Sequence, residues 1–543
     1  MSQRPVSQWS VERGLIARVT FMGLLILNLI LTVSYVAPGV ISNDDYFTDP
    51  GHMYIRDARW GAIPWLQIVD AAFESQLVAK SLAWFVLAIA AAMLATLIAR
   101  VYAKTPMAFV WLALVVSLAL MASQNLRWGP ALWYNAASFF WLTLALLGLL
   151  TWHRSGSSRV RSVGGVLLWL VGVMGAAVSY QAFALIGILA WLSLSASKEH
   201  SRPMASRLAW IIAPPAGAAV GTAGLIALLN ALTLSTRLEQ VGESGLFDQG
   251  SVGSLFIAYA RPPQVALGWA MAILTAVILW QVFVSRAHKQ HAHLLSSVGV
   301  LTGSYAVVVA LPLILTEASS GRFASTVQIA VLIGLAAQAV LNSPQNQQPA
   351  VPGIHSAAVF GGIVVATALG GFGLTLLGYP ILGATLGLVL VVWSFLVLAL
   401  WAVGLPKTPQ FAIGLVVIAS LIVSYATVRE QLFRNWVDVE LDNEVANAIA
   451  LQMSRLDLST TEMIQVSYDV VGQPSWPSPL LREFVSGVGV LQYHLDGLRD
   501  ISSQVTHADG VCDGVTDDTI TVTRVSDTEV TVCVNVDTVD PSP

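Results

Sequence analysis

Directly after the first long apolar run the chain reads S-N-D-D-Y-F-T-D-P-G-H-M-Y-I-R-D-A-R-W-G from Ser42 to Gly61, an interval dense in carboxylates and guanidinium groups. A carboxylate placed there can take the proton of an attacking hydroxyl, which makes Asp44 and Asp45 candidates for a general base, with the aromatic Tyr46 beside them. The same pair would otherwise cap the segment or stand solvated. Far along the chain, residues 316–325 read T-E-A-S-S-G-R-F-A-S, and Arg322 offers the planar fork that grips a phosphate. Its alternative role is to neutralise Glu317. A base and a phosphate clamp on one face describe a group transfer in which a lipid phosphate leaves and the arginine stabilises the charge that develops. Arg56, Arg59 and Trp60 could serve the same end or pair with Asp49 and Asp57, and both readings stay open.

These residues have to be positioned against a bilayer. Of 543 residues, 56% are hydrophobic and 11% charged, and the mean hydropathy is +0.71, whereas a soluble chain carries roughly a quarter charged residues. The composition excludes an ordinary soluble protein and reads as an all-α polytopic membrane protein. With a net charge of −4 and no basic block, the sequence calls for no nucleic-acid partner. Apolar runs near the ~20 residues that cross a bilayer fall at 19–37, 81–99, 107–123, 131–151, 163–180, 182–197, 208–230, 264–284, 294–314, 323–341, 355–378, 381–403 and 410–428. That makes thirteen spans.

Arg4, Arg13 and Arg18 precede the first run, which is too long for a signal-peptide core, so it is read as an uncleaved span with the N-terminus in the cytoplasm. Alternation from there puts Arg100, Lys104, Arg154, Arg159, Arg161, Lys198, Arg202, Arg207, Arg286, Lys289 and Lys407 inside. Before residue 429 only Glu12 and Glu199 join them; Asp44, Asp45, Asp49, Asp57, Asp70, Glu74, Glu239, Glu243, Asp248 and Glu317 all fall outside. The turn at Tyr180-Gln181 decides this scheme, since a single span over 163–197 would invert everything after it. No Asp, Glu, Lys or Arg lies within the spans, which speaks against an ion-coupled transporter.

Outside the spans, Pro64 to Leu77 has Trp65, Ile68, Val69, Ala72, Phe73 and Leu77 at helical spacing and is expected to lie on the outer leaflet over the mouth of a groove. Trp128 and Trp133-Tyr134 face the outer boundary and could stack on a sugar, but are expected to belong to the interfacial aromatic belt. His288, His291 and His293 sit with Arg286 and Lys289 and read as a solvated basic loop, so no metal ligands are assigned. The spans close a membrane domain, 1–428, and residues 429–543 form a small α+β extracytoplasmic domain. In it, Val437 to Leu456 reads as a helix, Ile464 to Val470 as a strand and residues 519–536 as a hairpin turning at Ser526 to Glu529. Cys512 and Cys533, both in this tail, could pair there.

The N-D-D-Y at 43–46, R-W-G at 59–61, S-Y-Q-A-F at 179–183, S-G-R-F at 320–323 and the helix-then-strand after the last span together resemble the Gtr-type glucosyltransferases, O-antigen-modifying membrane enzymes of the GT-C superfamily. The likeness covers most of residues 14–472 in layout; the region beyond Gly472 has no counterpart in it. It implies a GT-C fold that moves a hexose, glucose in the family, from a polyprenyl-phosphate donor to a glycan acceptor outside the cytoplasm, with inversion. Asp44 or Asp45 would act as base, and Arg322, with Arg59, would meet the donor phosphate. Tyr46, Arg56, Trp60 and Gln181 are the candidates for holding acceptor or sugar. No cofactor is implied beyond a divalent cation, on which GT-C enzymes differ. The partners would be membrane lipid, a flippase and a donor synthase, and the location the bacterial inner membrane with the active site and C-terminal domain in the periplasm. The rival readings are a flippase or polysaccharide transporter, an O-antigen polymerase or ligase, and a partner-binding role for the tail.

Overall fold

The computed structural model of the chain describes residues 6–36, 76–123, 129–155, 158–198, 204–233, 257–287, 292–314, 321–342, 409–456, 463–471, 502–507, 520–526 and 529–535. Long apolar runs become helices because lipid offers the backbone no hydrogen-bond partners and a helix satisfies its own. The helices are α1 (Val6–Val36), α2 (Gln76–Tyr102), α3 (Pro106–Met121), α4 (Gly129–His153), α5 (Arg159–Ser179), α6 (Gln181–Lys198), α7 (Met204–Thr233), α8 (Pro262–Ala287), α9 (Ala292–Ile314), α10 (Gly321–Leu341) and α11 (Pro409–Ser454). Among the described residues, seven helices are long and apolar enough to cross a membrane, and 106–121, 181–195 and 299–309 are shorter apolar helices. The spans expected at 355–378 and 381–403 lie outside the described residues, as does the interfacial segment up to residue 75. Leu77, expected to end that segment, belongs instead to the first turn of α2.

Hydrogen bonds between helices order their ends. Lys104, just beyond α2, donates from Nζ to the carbonyl of Leu341 at the end of α10, at 3.1 Å. Tyr102 donates to Ala190 O of α6 at 3.0 Å, and Gln281 Nε2 of α8 to Ala339 O of α10 at 2.9 Å. The C-terminal parts of α2, α6, α8 and α10 therefore meet at one end of the bundle, together with the start of α9, where Ser297 Oγ accepts from Asn342 at 2.7 Å. At the other end the ring of Tyr180, between α5 and α6, meets Tyr134 of α4 and Phe323 of α10, while Ser424 of α11 donates to Pro263 O of α8 at 3.3 Å. Tyr425 of α11 donates to Leu31 O of α1 at 2.9 Å, and Trp191 of α6 to Trp210 O early in α7 at 3.1 Å. Odd-numbered helices thus run from the Lys104 end to the Tyr180 end and even-numbered helices run back. α10 ends and α11 begins at the Lys104 end.

The turn that sets this alternation is one residue long. Tyr180 takes φ −157° and ψ 109°, extended backbone that stops α5, and α6 starts at the next residue. The two helices fold back on each other, with Trp169 Nε1 donating to Gly187 O at 3.1 Å. α5 also lies backbone to backbone on α4: a Cβ built at Gly165 would stand 2.5 Å from Trp152 N, whereas one at the neighbouring Gly164 would meet nothing. Small residues permit such approach, and in lipid, van der Waals packing of this kind is a main force between helices.

At the Lys104 end a closed polar network ties α6, α9 and α10. Ser193 Oγ bonds Gln338 Oε1, while Gln338 Nε2 donates to Ser297 Oγ at 3.3 Å and to Asn342 Oδ1 at 3.0 Å. All four side chains are buried. Beside it, the Lys104 ammonium sits at a helix C-terminus, where carbonyls point outward and favour a cation, yet burial pulls its pKa below the ordinary lysine range.

Cα packing divides the chain into two compact units, the first running to Glu430 and containing almost all of the helices before that point, the second carrying Gln431 to the C-terminus. α11 is a single helix of 46 residues. This corrects the expectation of a span followed by a separate helix from Val437: nothing between them breaks the backbone, since residues 429–436 hold neither Pro nor Gly. In the second unit Val445, Ile449 and Met453 form its buried stripe, and Gln452 Nε2 donates to Ile520 O of the sheet at 3.0 Å.

The sheet has four strands, β1 (Met463–Val471), β2 (Ser502–His507), β3 (Ile520–Arg524) and β4 (Glu529–Asn535), in the order β2-β1-β4-β3. β1 is parallel to both β2 and β4, and β3 pairs antiparallel with β4 as the hairpin pattern predicts. Register sets Val466 opposite Val530 and Val522 opposite Val532, one apolar face along which Val466, Val530, Val532 and Val534 are fully buried. Cys533 is disulfide-bonded; Cys512, the other cysteine, lies outside the described residues.

Two measurements check this fold. Gly165→Ala should destabilise the purified protein by about 1–3 kcal/mol and lower its melting temperature, while Gly164→Ala leaves it unchanged or slightly raised; equal effects would refute the close α4–α5 approach. The second concerns pH. Because folding lowers the Lys104 pKa, the unfolded chain binds more protons between that lowered value and 10.5, and stability contributed at this site rises with pH across the window. The melting-temperature difference between wild type and Lys104→Gln should therefore shift in favour of the wild type from about pH 7.5 to about pH 9.5; a difference indifferent to pH would show that Lys104 is solvated.

Candidate active site

Most of the expected chemistry falls outside the described residues: Asp44, Asp45, Tyr46, Arg56, Arg59 and Trp60 all do. Two expected residues are placed. Gln181 is the first residue of α6 and is half-buried. Arg322 stands in the first turn of α10, its side chain outside the described set. Both belong to the Tyr180 end of the bundle.

What joins them is aromatic. The rings of Tyr180 and Phe323, the immediate neighbours of Gln181 and Arg322, meet at 6.0 Å and 67°. Tyr180 also stacks on Tyr134 at 5.1 Å and 16°, and lies 5.8 Å from Phe183. Phe183 in turn takes the edge of Phe139 at 4.9 Å. The fragments S-Y-Q-A-F and S-G-R-F, far apart in sequence, thus pack as one cluster, and the first turns of α6 and α10 are brought together. A helix N-terminus exposes unpaired N–H groups and favours an anion, and α10 begins at Gly321.

Tyr134 corrects an expectation. It was expected in the lipid-facing belt, but it is only 3% exposed and stacked inside the bundle. The belt rule assigns tyrosines to an interface by position along a span; it does not tell which side of the helix faces protein. Ser138, one turn on, donates back to Tyr134 O at 2.8 Å.

The neighbourhood is polar beneath the rings. Ser325, Thr326 and Gln328 follow Phe323 down α10 and are buried, and Gln328 Nε2 donates to Gln264 O of α8 at 3.0 Å. Just before α8, Tyr259 donates to Val308 O of α9 at 2.7 Å, and burial pushes its phenol above the ordinary range. Arg261 is exposed at the same end. On α4, Asn135 is fully buried, and neither its Nδ2 nor its Oδ1 has a hydrogen-bond partner. The sequence singles out neither Asn135 nor the individual rings of Phe183 and Phe323; Tyr180 is read from it only as a turn, and the two motifs that contain Tyr180, Phe183 and Phe323 carry the signal.

No protein-family model and no curated protein sequence matches the chain. Among solved structures, ArnT from Cupriavidus metallidurans bound to undecaprenyl phosphate aligns over 92% of this chain and 86% of its own, at 13% identity and a TM-score of 0.41. That score lies below the level at which a shared fold is established.

The ring cluster predicts a graded response. Tyr180→Ala removes one ring from three contacts and should cost about 3–5 kcal/mol of stability, whereas Tyr180→Phe keeps the rings and should cost about 1 kcal/mol. Thermal unfolding of the two variants in the same detergent tests this, and equal losses would place the contribution of Tyr180 in its hydroxyl.

Proposed function

We propose that the protein is a GT-C-type, polyprenyl-phosphate-sugar-dependent glycosyltransferase. On this reading it moves a hexose, glucose in the family it resembles, to a cell-surface glycan such as O-antigen on the periplasmic side of a bacterial inner membrane. The observation that carries the proposal is the Tyr180–Phe323 contact, which gathers Gln181 and Arg322 at one end of a helix bundle whose loops at that end, by charge placement, hold nearly all the carboxylates of the membrane domain. The buried polar side chains inside the described helices, Glu430 apart, are neutral amides and hydroxyls, which suits a surface reaction better than ion-coupled transport.

In the proposed reaction an acceptor hydroxyl oxygen attacks the anomeric carbon of the donor sugar. The bond from that carbon to the phosphate oxygen breaks, its electron pair leaves with the polyprenyl phosphate, and the hydroxyl proton passes to Asp44 or Asp45. Attack opposite the leaving group inverts the anomeric configuration. Arg322, with Arg59, stabilises the charge on the departing phosphate, and the N-termini of α6 and α10 add to the field. Tyr46, Arg56, Trp60 and Gln181 hold sugar and acceptor, and a divalent cation at the phosphate is compatible with the scheme. The polyprenyl chain lies between helices and lipid, where each buried CH₂ contributes about 0.8 kcal/mol before ordering costs. A donor synthase and a flippase would supply the substrate, and residues 429–543 stand in the periplasm with their disulfide.

The test is transfer of label from polyprenyl-phosphate-[¹⁴C]glucose to endogenous glycan in membranes holding equal amounts of wild type, Asp44→Asn, Asp45→Asn or Arg322→Ala. One Asp variant should lose activity by at least about 10²-fold, the low end for general-base catalysis, and Arg322→Ala by a comparable factor. Transfer at wild-type rate in all three variants would sink the assignment.

A further inference from the structure

Asn135 stands out among the side chains of the Tyr180 end because it is 0% exposed and both of its amide atoms lack a hydrogen-bond partner. Burying an unpaired amide costs on the order of 1–3 kcal/mol by mutational measures, and native interiors seldom carry that cost without a role. Its position is specific. Asn135 shares a face of α4 with Phe139, one turn further on, and Phe139 packs edge-on against Phe183 in the first turn of α6. One turn is about 5.4 Å, so Asn135 lies level with the N-terminus of α6, where Gln181 begins, and directly beside Tyr134, which stacks on Tyr180. A second orphan lies toward the same end of the bundle: Ser123, in the turn that follows α3, is 0% exposed with its hydroxyl unpartnered.

The chemistry of the amide selects its ligand. It offers two donors and one acceptor oxygen. A phosphate has only acceptors and would leave Oδ1 unmatched, and a prenyl chain would match neither group. A sugar hydroxyl is donor and acceptor at once, and so matches both atoms of the amide. We propose that Asn135 hydrogen-bonds a hydroxyl of the sugar carried by the donor lipid, making it a residue that distinguishes the glycosylated lipid from the bare lipid phosphate. This rests on the glycosyl-transfer reading above and deepens it: the sugar, rather than the phosphate or the lipid tail, is what the α4–α6 junction recognises.

The experiment uses the full-length protein in nanodiscs, with native mass spectrometry reading binding of two probes, polyprenyl-phosphate-glucose and polyprenyl phosphate. Wild type should bind both. Asn135→Leu should weaken the glucosylated lipid by about ten-fold, the worth of one or two hydrogen bonds, and leave the bare phosphate unchanged. Asn135→Ala, which removes the amide without adding bulk, provides the same readout if the leucine variant does not fold. Unchanged binding of both lipids by a folded variant, with a raised melting temperature, would assign the amide to ordered water and overturn the proposal while the donor reading stands. Wild type that binds neither lipid would overturn the donor reading itself, and the proposal with it.

Discussion

Tyr180 leaves helical geometry for a single residue, and the arrangement of the membrane unit follows from that break. Had the run from Arg159 to Lys198 stayed one helix, every later helix would point the other way, and the N-terminus of α10 would lie at the opposite end from the Tyr134 stack. The break is held by packing rather than by a proline or glycine. The Tyr180 ring is fixed by Tyr134, Phe183 and Phe323, and the Trp169 indole closes the hairpin onto Gly187 O. The glycines at 148, 165 and 172 then let α5 lie directly on α4, which ties the hairpin to the helix that supplies Tyr134.

The two ends of the bundle differ in what joins their helices. At the Lys104 end the amides of Gln338 and Asn342 and the hydroxyls of Ser193 and Ser297 satisfy one another, and Tyr102 and Lys104 bond helix carbonyls. Such a closed network fixes the relative heights of helices that apolar contacts alone would let slide, because neutral hydrogen bonds in a low dielectric are directional. At the Tyr180 end aromatic rings share the joining with single hydrogen bonds such as Gln328 to Gln264 O, and the Asn135 amide and Ser123 hydroxyl have no protein partners. The motif residues Gln181 and Arg322 stand at this end, in the first turns of α6 and α10.

Much of the architecture was legible because it depends on local properties. Run length placed eleven of the expected spans on observed helices, and the alternation from Ile464 to Val470 and the hairpin around Ser526 read correctly as strands. The continuity of α11 was misjudged because composition changes at Val428 while helix-forming residues do not stop there. Tyr134 was misjudged for a related reason: a helix apolar on all sides shows no period that separates its lipid face from its protein face. For the candidate site, Gln181 and Arg322 could be named from motifs, but their proximity could not, since no short-range pattern relates residue 180 to residue 323.

The sequence by itself determined that the chain enters a membrane many times, where its charges gather and which segment forms the appended α+β unit. These follow from the cost of placing charge and unpaired backbone in hydrocarbon, which each stretch meets on its own. Only the tertiary structure decided which helix faces touch, that Tyr180 bridges α4 and α10, and that Asn135 is buried beside it unsatisfied. In lipid, apolar surface gives no net preference for one neighbour over another, so the choice falls to close glycine contacts, ring geometry and hydrogen bonds between residues distant along the chain.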